Sequence, residues 1–210
     1  MAEKWFTSDV HLGHQSVLNF RPLTRQGTST EEHDGTILRN WNRQVSPDDT
    51  VYILGDFSFA SADAIKYWLD QLNGKKCLIL GNHDKVIRSD YSIQKRFTWV
   101  KDYHEEAIGN RFVVMHHYPS LEWNGMIHGS YYLFGHVHGS YDMCPITLGG
   151  RSMDVGLDSR PNGIAPRNGP MSLWHWEEID QILSKRPVRG PAPFLYRGPQ
   201  TVVDNDYFKL

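Results

Sequence analysis

Short apolar stretches of this chain repeatedly end in side chains that can bind metals, protons or phosphates. The stretch CLIL is followed by Gly81 and then by Asn82, His83 and Asp84. Its length and composition are typical of a strand that is buried on both faces, and a glycine lets the backbone turn sharply where the strand ends. We therefore expect the three polar residues at the carboxyl edge of a sheet, where open α/β sheets bind ligands.

Four further stretches end in the same way. KWFTS leads to Asp9 and His11, TVYIL to Asp56, RFVVM to His116 and His117, and YYLF to His136 and His138. Several imidazoles, two carboxylates and the amide of Asn82, without a thiolate, suit divalent ions such as Mn²⁺, Fe²⁺ or Zn²⁺. These ligands are too many for one tetrahedral ion, so they predict two ions that share a carboxylate, a common device for displacement at phosphorus.

Helices are predicted between the early strands, and they must hold these strand ends in place. Ser29 and Glu32 fit a capping box that starts a helix, which Pro47 stops, and an apolar stripe at 65–72 predicts a second helix. After residue 98 the pattern changes to strands joined by tight turns, and a last helix is predicted over 172–185. This order predicts an α/β fold of two packed sheets with helices outside.

The length and charge of the chain limit its organisation and its partners. Its 210 residues suffice for one well-buried domain, predicted over 1–184, followed by an irregular tail at 185–210 that is rich in Pro, Gly and Arg. A formal charge of -2 gives no general attraction to nucleic acid or to an anionic membrane. The two cysteines form no disulfide framework, and no signal peptide or membrane span is evident, so a cytoplasmic location is expected.

The blocks of polar residues resemble the motif of the calcineurin-like metallophosphoesterases. That motif runs D-x-H, G-D, G-N-H-[DE], H and G-H-x-H, and this chain carries DVH at 9–11, GD at 55–56, GNHD at 81–84, HHYP at 116–119 and GHVH at 135–138. Each block alone is weak evidence, but all five occur in the family's order between residue 4 and about residue 160. The segment DVHLGHQSVLNFRPL looks like a small branch of predicted phosphoesterases from bacteria and their phages.

The resemblance implies a two-sheet αββα sandwich with two divalent ions at the strand ends. It implies that Asp9, His11, Asp56 and His138 hold one ion and that Asp56, Asn82, His117 and His136 hold the other, which makes Asp56 the bridge. Mn²⁺ is the favoured ion, with Fe²⁺, Zn²⁺, Ni²⁺ or Mg²⁺ as alternatives. Alternation along a strand allows only one of His116 and His117 to be a ligand, and the continuation HYPSLEWN, which is similar to that of relatives, favours His117.

The resemblance also implies roles beside the metals. His83 would contact a phosphate oxygen or protonate the leaving group, and Asp84 would orient its imidazole. Asn82, His14, Arg21 and Arg39 are candidate substrate contacts, although each arginine could equally be an ordinary surface residue. His33, His104 and His175 lie outside every motif and are expected to be exposed.

The activity implied is that of a metal-dependent phosphoesterase acting on a small phosphorylated molecule, with nucleotides favoured. A phosphodiesterase or nuclease is the alternative, because the same kind of site can cleave diesters. The segment GDFSFAS lacks the arginine of the D-R-G triplet found in protein serine/threonine phosphatases of this superfamily, which disfavours that role. A non-catalytic scaffold is a further alternative, and the presence of His83 and Asp84 argues against it.

Overall fold

Two β-sheets packed against each other form the centre of the structure. The computed structural model describes residues 2–142 and 150–188. Within these residues one sheet has five strands and the other has four, and helices accompany them. The predicted α/β fold with two sheets is therefore confirmed. None of the helices in these two ranges is long and apolar enough to cross a membrane.

The first sheet is almost entirely parallel. In spatial order its strands are β4 (Trp99–Lys101), β3 (Lys75–Ile79), β2 (Thr50–Ile53), β1 (Lys4–Thr7) and β9 (Trp174–His175). Strands β1 to β4 run in the same direction, and β9 is antiparallel to β1. The carboxyl ends of β1, β2 and β3 therefore meet at one edge of this sheet.

The second sheet begins with a hairpin and continues with parallel strands. Its order is β5 (Tyr103–Ile108), β6 (Arg111–His116), β7 (Tyr131–Phe134) and β8 (Ser152–Asp154). Strands β5 and β6 are antiparallel, whereas β6, β7 and β8 are parallel. The tight turn between β5 and β6 contains Gly109, whose φ of 60° lies in the left-handed region that glycine adopts readily.

Six α-helices lie in the described parts of the chain. They are α1 (Gln15–Phe20), α2 (Thr30–Gln44), α3 (Ala62–Gln71), α4 (Lys85–Ser89), α5 (Tyr91–Gln94) and α6 (Trp176–Leu183). Helix α2 starts where the sequence predicts, because Ser29 Oγ accepts a hydrogen bond from the backbone N–H of Glu32 at 3.3 Å. The Glu32 carboxylate accepts from the N–H of Thr28 at 2.9 Å, one residue before the position that a capping box requires.

Neighbouring residues of the central strands pack into different cores. In β1, Trp5 belongs to the core between the first sheet and helices α2 and α3, while Phe6 belongs to the core between the two sheets. In β6, Val113 faces the core between the sheets and Val114 faces a smaller cluster that includes Tyr132. Both faces of these strands are covered, which explains why they are continuous apolar runs in the sequence.

The predicted C-terminal helix is partly wrong. Trp174 and His175 form strand β9, which pairs with β1, and the helix begins only at Trp176. Burial of Trp174 between the sheets and pairing with an open strand edge outweigh the local helical pattern. His175 then caps the helix, since its backbone N–H donates to the Glu178 carboxylate at 3.0 Å.

Two of the three histidines expected on the surface are buried, so that expectation is wrong for them. His33 is fully buried, and its Nδ1 lies 2.8 Å from Asp34 Oδ1. His175 is also buried, and its Nε2 lies 3.2 Å from Glu3 Oε2. A carboxylate partner offsets much of the cost of burying a polar ring, and the sequence pattern did not reveal either partner. His104 is half-buried.

Candidate metal centre

The residues that could carry chemistry meet where the strands of both sheets end. They are Asp9 and His11 after β1, Asp56 after β2, Asn82 after β3, His117 after β6, and His136 and His138 after β7. Backbone hydrogen bonds join the loops that carry them. The N–H of Asp9 donates to the carbonyl of Gly55 at 2.9 Å, and the N–H of Gly135 donates to the carbonyl of His117 at 2.9 Å.

Two groups of three side chains have the geometry of metal ligands. Asp9, His11 and His138 form one group and Asp56, His117 and His136 form the other, and within each group the ligand atoms lie within 4.8 Å of one another. In the first group, Asp9 Oδ1 is 4.0 Å from His11 Nε2 and 3.8 Å from His138 Nε2. Two atoms that each bind one ion at about 2.0–2.2 Å are at most about 4.4 Å apart, so these separations fit a shared ion.

Asp56 belongs to the second group and also faces the first. Its Oδ2 is 3.8 Å from His11 Nε2 and 3.6 Å from His117 Nε2. Asn82 completes the second group, because its Oδ1 lies 3.0 Å from His117 Nε2. The structure thus brings together all seven residues that the resemblance implied as ligands, and Asp56 lies next to residues of both groups.

Buried polar atoms without partners show that a cation fits this site. Among the described residues, Asp9 Oδ1 and His11 Nε2 are both buried without a hydrogen-bond partner, 4.0 Å apart. Leaving such atoms unpaired is costly, and a cation between them would satisfy both. The set of imidazole nitrogens and carboxylate and amide oxygens is that of a divalent ion such as Mn²⁺, Fe²⁺ or Zn²⁺.

Burial shifts the pKa values of several of these side chains. Burial, followed by the charge of Asp56, raises the pKa of Asp9 to about 8. Burial, followed by the neighbouring His138, lowers the pKa of His11 to about 2, and burial likewise lowers the pKa of His117 and His136. The lowered pKa values favour the neutral form of His11, His117 and His136, which offers a lone pair, while a bound cation would restore the charge of Asp9.

Strained backbone is concentrated at the candidate ligands. In the parts of the chain that the structure describes, the non-glycine residues with positive φ are Asp9 (53°), His11 (57°), Asp56 (53°), His136 (71°), His138 (50°) and Met171 (54°). This left-handed conformation is unfavourable for residues with a side chain and persists only where the surroundings enforce it. Five of the six residues are candidate ligands, so the strain lies at the site itself.

Two glycines let the ligand carboxylates approach the neighbouring backbone. A Cβ atom added to Gly81 would overlap Asp56, and a Cβ atom added to Gly135 would overlap Ser8 and Asp9. The glycines that end β3 and β7 are therefore required by close packing around the two carboxylates.

Of the two adjacent histidines, the structure brings His117 to the site. His117 is fully buried, and its Nδ1 lies 2.7 Å from the carbonyl oxygen of Leu54, so the ring donates there and turns the lone pair of Nε2 towards Asn82 and Asp56. The ring of His116 instead packs near Tyr103 and Tyr118. The two side chains diverge because they are consecutive residues at the end of a strand.

His83 lies at the rim of the site. Its side chain is 44% exposed, and its Nε2 is 3.9 Å from Asp56 Oδ2. The ring rests against Phe59, with ring centroids 4.5 Å apart. An imidazole in this position can meet both the solvent and a molecule bound at the centre.

The Asp84 carboxylate is held by backbone N–H groups of two turns. Its carboxylate accepts hydrogen bonds from the backbone N–H groups of Asp56 (2.8 Å), Phe57 (2.9 Å) and Gly81 (2.8 Å). No ion pair between its side chain and that of His83 is found among the described residues. Burial raises the pKa of Asp84 to about 6. Asp84 therefore ties the turn that carries Asp56 to the turn after β3, and the expectation that it orients His83 stays a prediction.

The candidate substrate contacts differ in position. His14 is at the centre, with its Nδ1 2.8 Å from His11 Nδ1 and its ring stacked on Phe59 at 3.8 Å. Arg21 lines a cleft that also contains His138. Arg39 is exposed on α2 and donates to Thr36 Oγ1 of the same helix at 2.8 Å. Arg39 thus lies on the surface and contacts its own helix, and its role as a substrate contact stays a prediction.

Sequence analysis missed a buried ion pair beneath the centre. Asp158 Oδ2 lies 2.7 Å from His138 Nδ1, and Arg25 donates to the two oxygens of Asp158 through Nε at 2.8 Å and Nη2 at 2.7 Å. Arg25 Nη1 also donates to the carbonyl of Val10 at 3.1 Å. Burial alone would raise the pKa of Asp158, but the charge of Arg25 and the bonds to the carboxylate outweigh it and hold the pKa well below its usual range. Neither residue belongs to a motif, so the sequence carried no signal for the pair.

The sequence is similar to known proteins over most of its length. The sequence profile of the calcineurin-like phosphoesterases matches residues 4–147. The Gene 66 protein of Mycobacterium phage L5 is 30% identical over 186 residues, which cover 76% of this chain and 88% of the relative. The Gene 66 protein of Mycobacterium phage D29 is 31% identical over 185 residues, which cover 76% of this chain and 89% of the relative.

A solved structure shares the fold. The crystal structure of a protein of unknown function, AQ665 from Aquifex aeolicus, is similar with a TM-score of 0.66 and 23% sequence identity. The similarity covers 87% of this chain and 100% of that chain. At 23% identity the similarity shows a shared fold and nothing about activity.

Proposed function

Because the chain belongs to the calcineurin-like phosphoesterase family, we propose that it uses two divalent ions to hydrolyse phosphate esters of a small molecule. The chain is a hydrolase, a metal-dependent phosphoesterase, by its family. The observation that carries the proposal is the adjacency of the two ligand groups at Asp56. Its Oδ2 lies 3.6 Å from His117 Nε2 of its own group and 3.8 Å from His11 Nε2 of the other group.

We assign the ligands as the resemblance implies. Asp9, His11, Asp56 and His138 would hold one ion, and Asp56, Asn82, His117 and His136 would hold the other. Ions held by these residues would lower the pKa of a water molecule at the centre and stabilise negative charge on the phosphoryl group. Mn²⁺ is the proposed ion because it accepts oxygen and imidazole ligands together, with Fe²⁺, Zn²⁺, Ni²⁺ and Mg²⁺ as alternatives.

The protein's own groups orient the ligands and handle the proton. The bond from His117 Nδ1 to Leu54 and the bond from His138 Nδ1 to Asp158 direct the Nε2 atom of each ring towards the centre. His83 is the proposed general acid, since its exposed ring can donate a proton to the oxygen of the leaving group.

The proposed substrate is a small phosphorylated molecule, with a nucleotide favoured. A formal charge of -2 gives the chain no overall attraction to a polyanion, so a long nucleic acid is the less favoured substrate. A phosphodiesterase acting on a cyclic nucleotide remains the alternative, because the two-ion arrangement serves monoesters and diesters alike.

A metal-dependence assay with a matched pair of variants tests the proposal. The chain is stripped with a chelator, reloaded with each divalent ion, and assayed against a panel of phosphate monoesters and diesters. We expect hydrolysis only with added metal and two ions bound per chain. Asp56→Asn should lose both the activity and bound metal, because an amide cannot neutralise two cations. Asp48→Asn, on an exposed turn, should behave as the wild type. Full hydrolysis in excess chelator, or full activity and metal content of Asp56→Asn, would refute the proposal.

A further inference from the structure

A cleft adjoins the candidate metal centre at His138. Its volume is about 470 Å³, and it is lined by residues that include Phe20, Arg21, Leu23, His138, Ser140 and Arg160. This volume falls in the range of about 300–1,000 Å³ that is usual for small-molecule sites. Because His138 belongs both to the cleft and to the first ligand group, a molecule bound in the cleft would touch the centre.

One wall of the cleft is apolar and open to solvent. Phe20, at the end of α1, is 49% exposed, and Leu23 is 98% exposed. The Phe20 ring lies 5.9 Å from the ring of His138 and nearly perpendicular to it, at 87°. An aromatic ring left half open beside a phosphate-binding centre offers its face to a planar group of a ligand.

Arg21 supplies a charged group to the same cleft. Its Nη2 donates to Ser140 Oγ at 3.2 Å, which links the two loops that border the cleft. Its Nε is buried and, in the described part of the structure, has no hydrogen-bond partner. Because Arg21 lines the cleft and is held by Ser140, its guanidinium can donate from its outer N–H groups to an acceptor atom of a ligand and can also stack on a planar ring.

The carboxylates of the cleft are already engaged. Asp158 is held by Arg25 and by His138, and Asp142 Oδ1 accepts a hydrogen bond from Ser159 Oγ at 2.8 Å. The groups that can still meet a ligand therefore include the aromatic ring of Phe20 and the guanidinium of Arg21. This combination favours a planar heterocycle with hydrogen-bond acceptors over an aliphatic or a cationic ligand.

We propose that this cleft binds the base of a nucleotide whose phosphate lies at the metal centre, with Phe20 stacked against the base. The guanidinium of Arg21, which lines the same cleft, donates to an acceptor of that nucleotide. The inference rests on the proposed phosphoesterase function and assigns residues to the recognition of the organic part of the ester.

Binding of two matched probes tests this assignment independently of turnover. The probes are analogues of adenosine 5′-monophosphate and of ribose 5-phosphate in which a methylene group replaces the ester oxygen, so that neither can be hydrolysed. Their affinities for the metal-loaded full chain are measured by calorimetry. Stacking of a base on an aromatic side chain is worth about tenfold or more in affinity, so we expect the wild type to bind the adenosine probe at least about tenfold more tightly.

Three variants identify the source of that preference. Phe20→Ala should reduce the affinity ratio of the two probes by about tenfold, whereas Phe20→Tyr, which keeps the ring, should retain it. Tyr67→Ala removes an aromatic ring that is 57% exposed on α3 and should leave the ratio unchanged. Equal binding of both probes by the wild type, an equal loss of both probes in Phe20→Ala, or a loss in Phe20→Tyr as large as in Phe20→Ala would overturn the inference.

The two proposals can fail separately. Selective binding of the adenosine probe by a chain that hydrolyses no ester would support the cleft assignment and contradict the proposed activity. Metal-dependent hydrolysis without any preference between the probes would support the activity and contradict the cleft assignment. Equal loss of both probes in Arg21→Ala would mean that Arg21 binds the phosphate, which would overturn its assigned contact with the organic part.

Discussion

The candidate ligands share a pattern in which one polar atom is fixed by the protein and another faces the centre. His117 and His138 each use Nδ1 for a partner in the protein and direct Nε2 inward. Asp56 uses Oδ1 to accept the backbone N–H of His83 at 2.8 Å and leaves Oδ2 among the imidazoles. Such partners set the orientation and the tautomer of a ligand before the ion binds, so they should affect metal affinity almost as directly as the ligands.

The pair His116 and His117 provides a prediction at the scale of single residues. His117→Ala should lower the metal content from two ions to one and reduce the activity by more than about 100-fold. Loss of a residue that only hydrogen-bonds a metal ligand costs about 10–100-fold, and loss of the ligand itself should cost more. His116→Ala should keep both ions, at a cost of about 1 kcal/mol in the free energy of unfolding through lost ring packing. Elemental analysis and denaturant unfolding measure the two effects. The reverse outcome would move the ligand by one residue.

Asp158 gives a second prediction. Asp158→Asn removes the charge that orients His138 and leaves Arg25 without its counterion, so we expect metal affinity to fall by about 10–100-fold. Calorimetric titration with Mn²⁺ measures this loss, and a thermal melt of the metal-free protein shows whether the fold persists. An unchanged affinity in a folded variant would show that Asp158 has no part in holding His138 for the ion.

His83 gives a third prediction, which separates two roles. If His83 protonates the departing oxygen, His83→Ala should keep both ions and lose about 10²–10⁴-fold in rate on an ester with an alkoxide leaving group, such as a nucleotide. On p-nitrophenyl phosphate the loss should be several-fold smaller, because nitrophenolate leaves without a proton. The wild-type to mutant rate ratio on the two substrates is the measurement. An equal ratio on both would mean that His83 stabilises charge on the phosphoryl oxygens instead.

At the scale of elements, the turns that follow the strands determine the site. Each central strand is short, and the turn that follows it carries a candidate ligand. These turns bring the candidate ligands of neighbouring strands together. Asp84 and Gly81 act together here, because the Asp84 carboxylate binds the N–H groups of the Asp56 turn and of Gly81. The spacing between Gly81 and Asp56 leaves no room for a Cβ atom.

Two glycine substitutions test this close approach. Gly81→Ala would force the Asp56 turn away, so we expect a loss of metal and a cost of about 1–3 kcal/mol in stability from overpacking. The matched control is Gly35→Ala in α2, where the new Cβ atom meets only the flexible Arg39 side chain at 3.3 Å. That variant should be neutral or gain about 0.5–1 kcal/mol, because alanine favours a helix over glycine. Full metal binding by a well-folded Gly81→Ala would contradict the argument.

The elements that the sequence predicted are those with a strong local pattern. Five apolar strands before polar blocks and the two long helices α2 and α3 were recognisable from periodicity and caps. Strand β9 was not, because its two residues become a strand only through pairing with β1. Helices α4 and α5 are too short, at 5 and 4 residues, to show a helical period. Within the site, the positions of ligands followed from the motif, whereas the partners Asp158 and Arg25 depend on tertiary contacts that no local pattern encodes.

At the scale of the whole molecule, the site depends on both sheets. Asp9, His11, Asp56 and Asn82 follow strands of the first sheet, and His117, His136 and His138 follow strands of the second. Correct packing of the sheets therefore assembles the centre, and the core between them, which includes Phe6 and Met115, is part of what positions it. The predicted division into a domain at 1–184 and a tail stays a prediction, since residues 189–210 lie outside the described ranges. The cytoplasmic location likewise stays a prediction.

The most direct test of the central claim is anomalous X-ray diffraction from a crystal of the Mn²⁺-loaded protein. Our account predicts two peaks of anomalous density, about 3.5–4 Å apart, on either side of the Asp56 carboxylate. One peak should lie beside Asp9, His11 and His138, and the other beside Asn82, His117 and His136. A single peak, or two peaks that do not share Asp56, would contradict the claim that one carboxylate joins two metal sites.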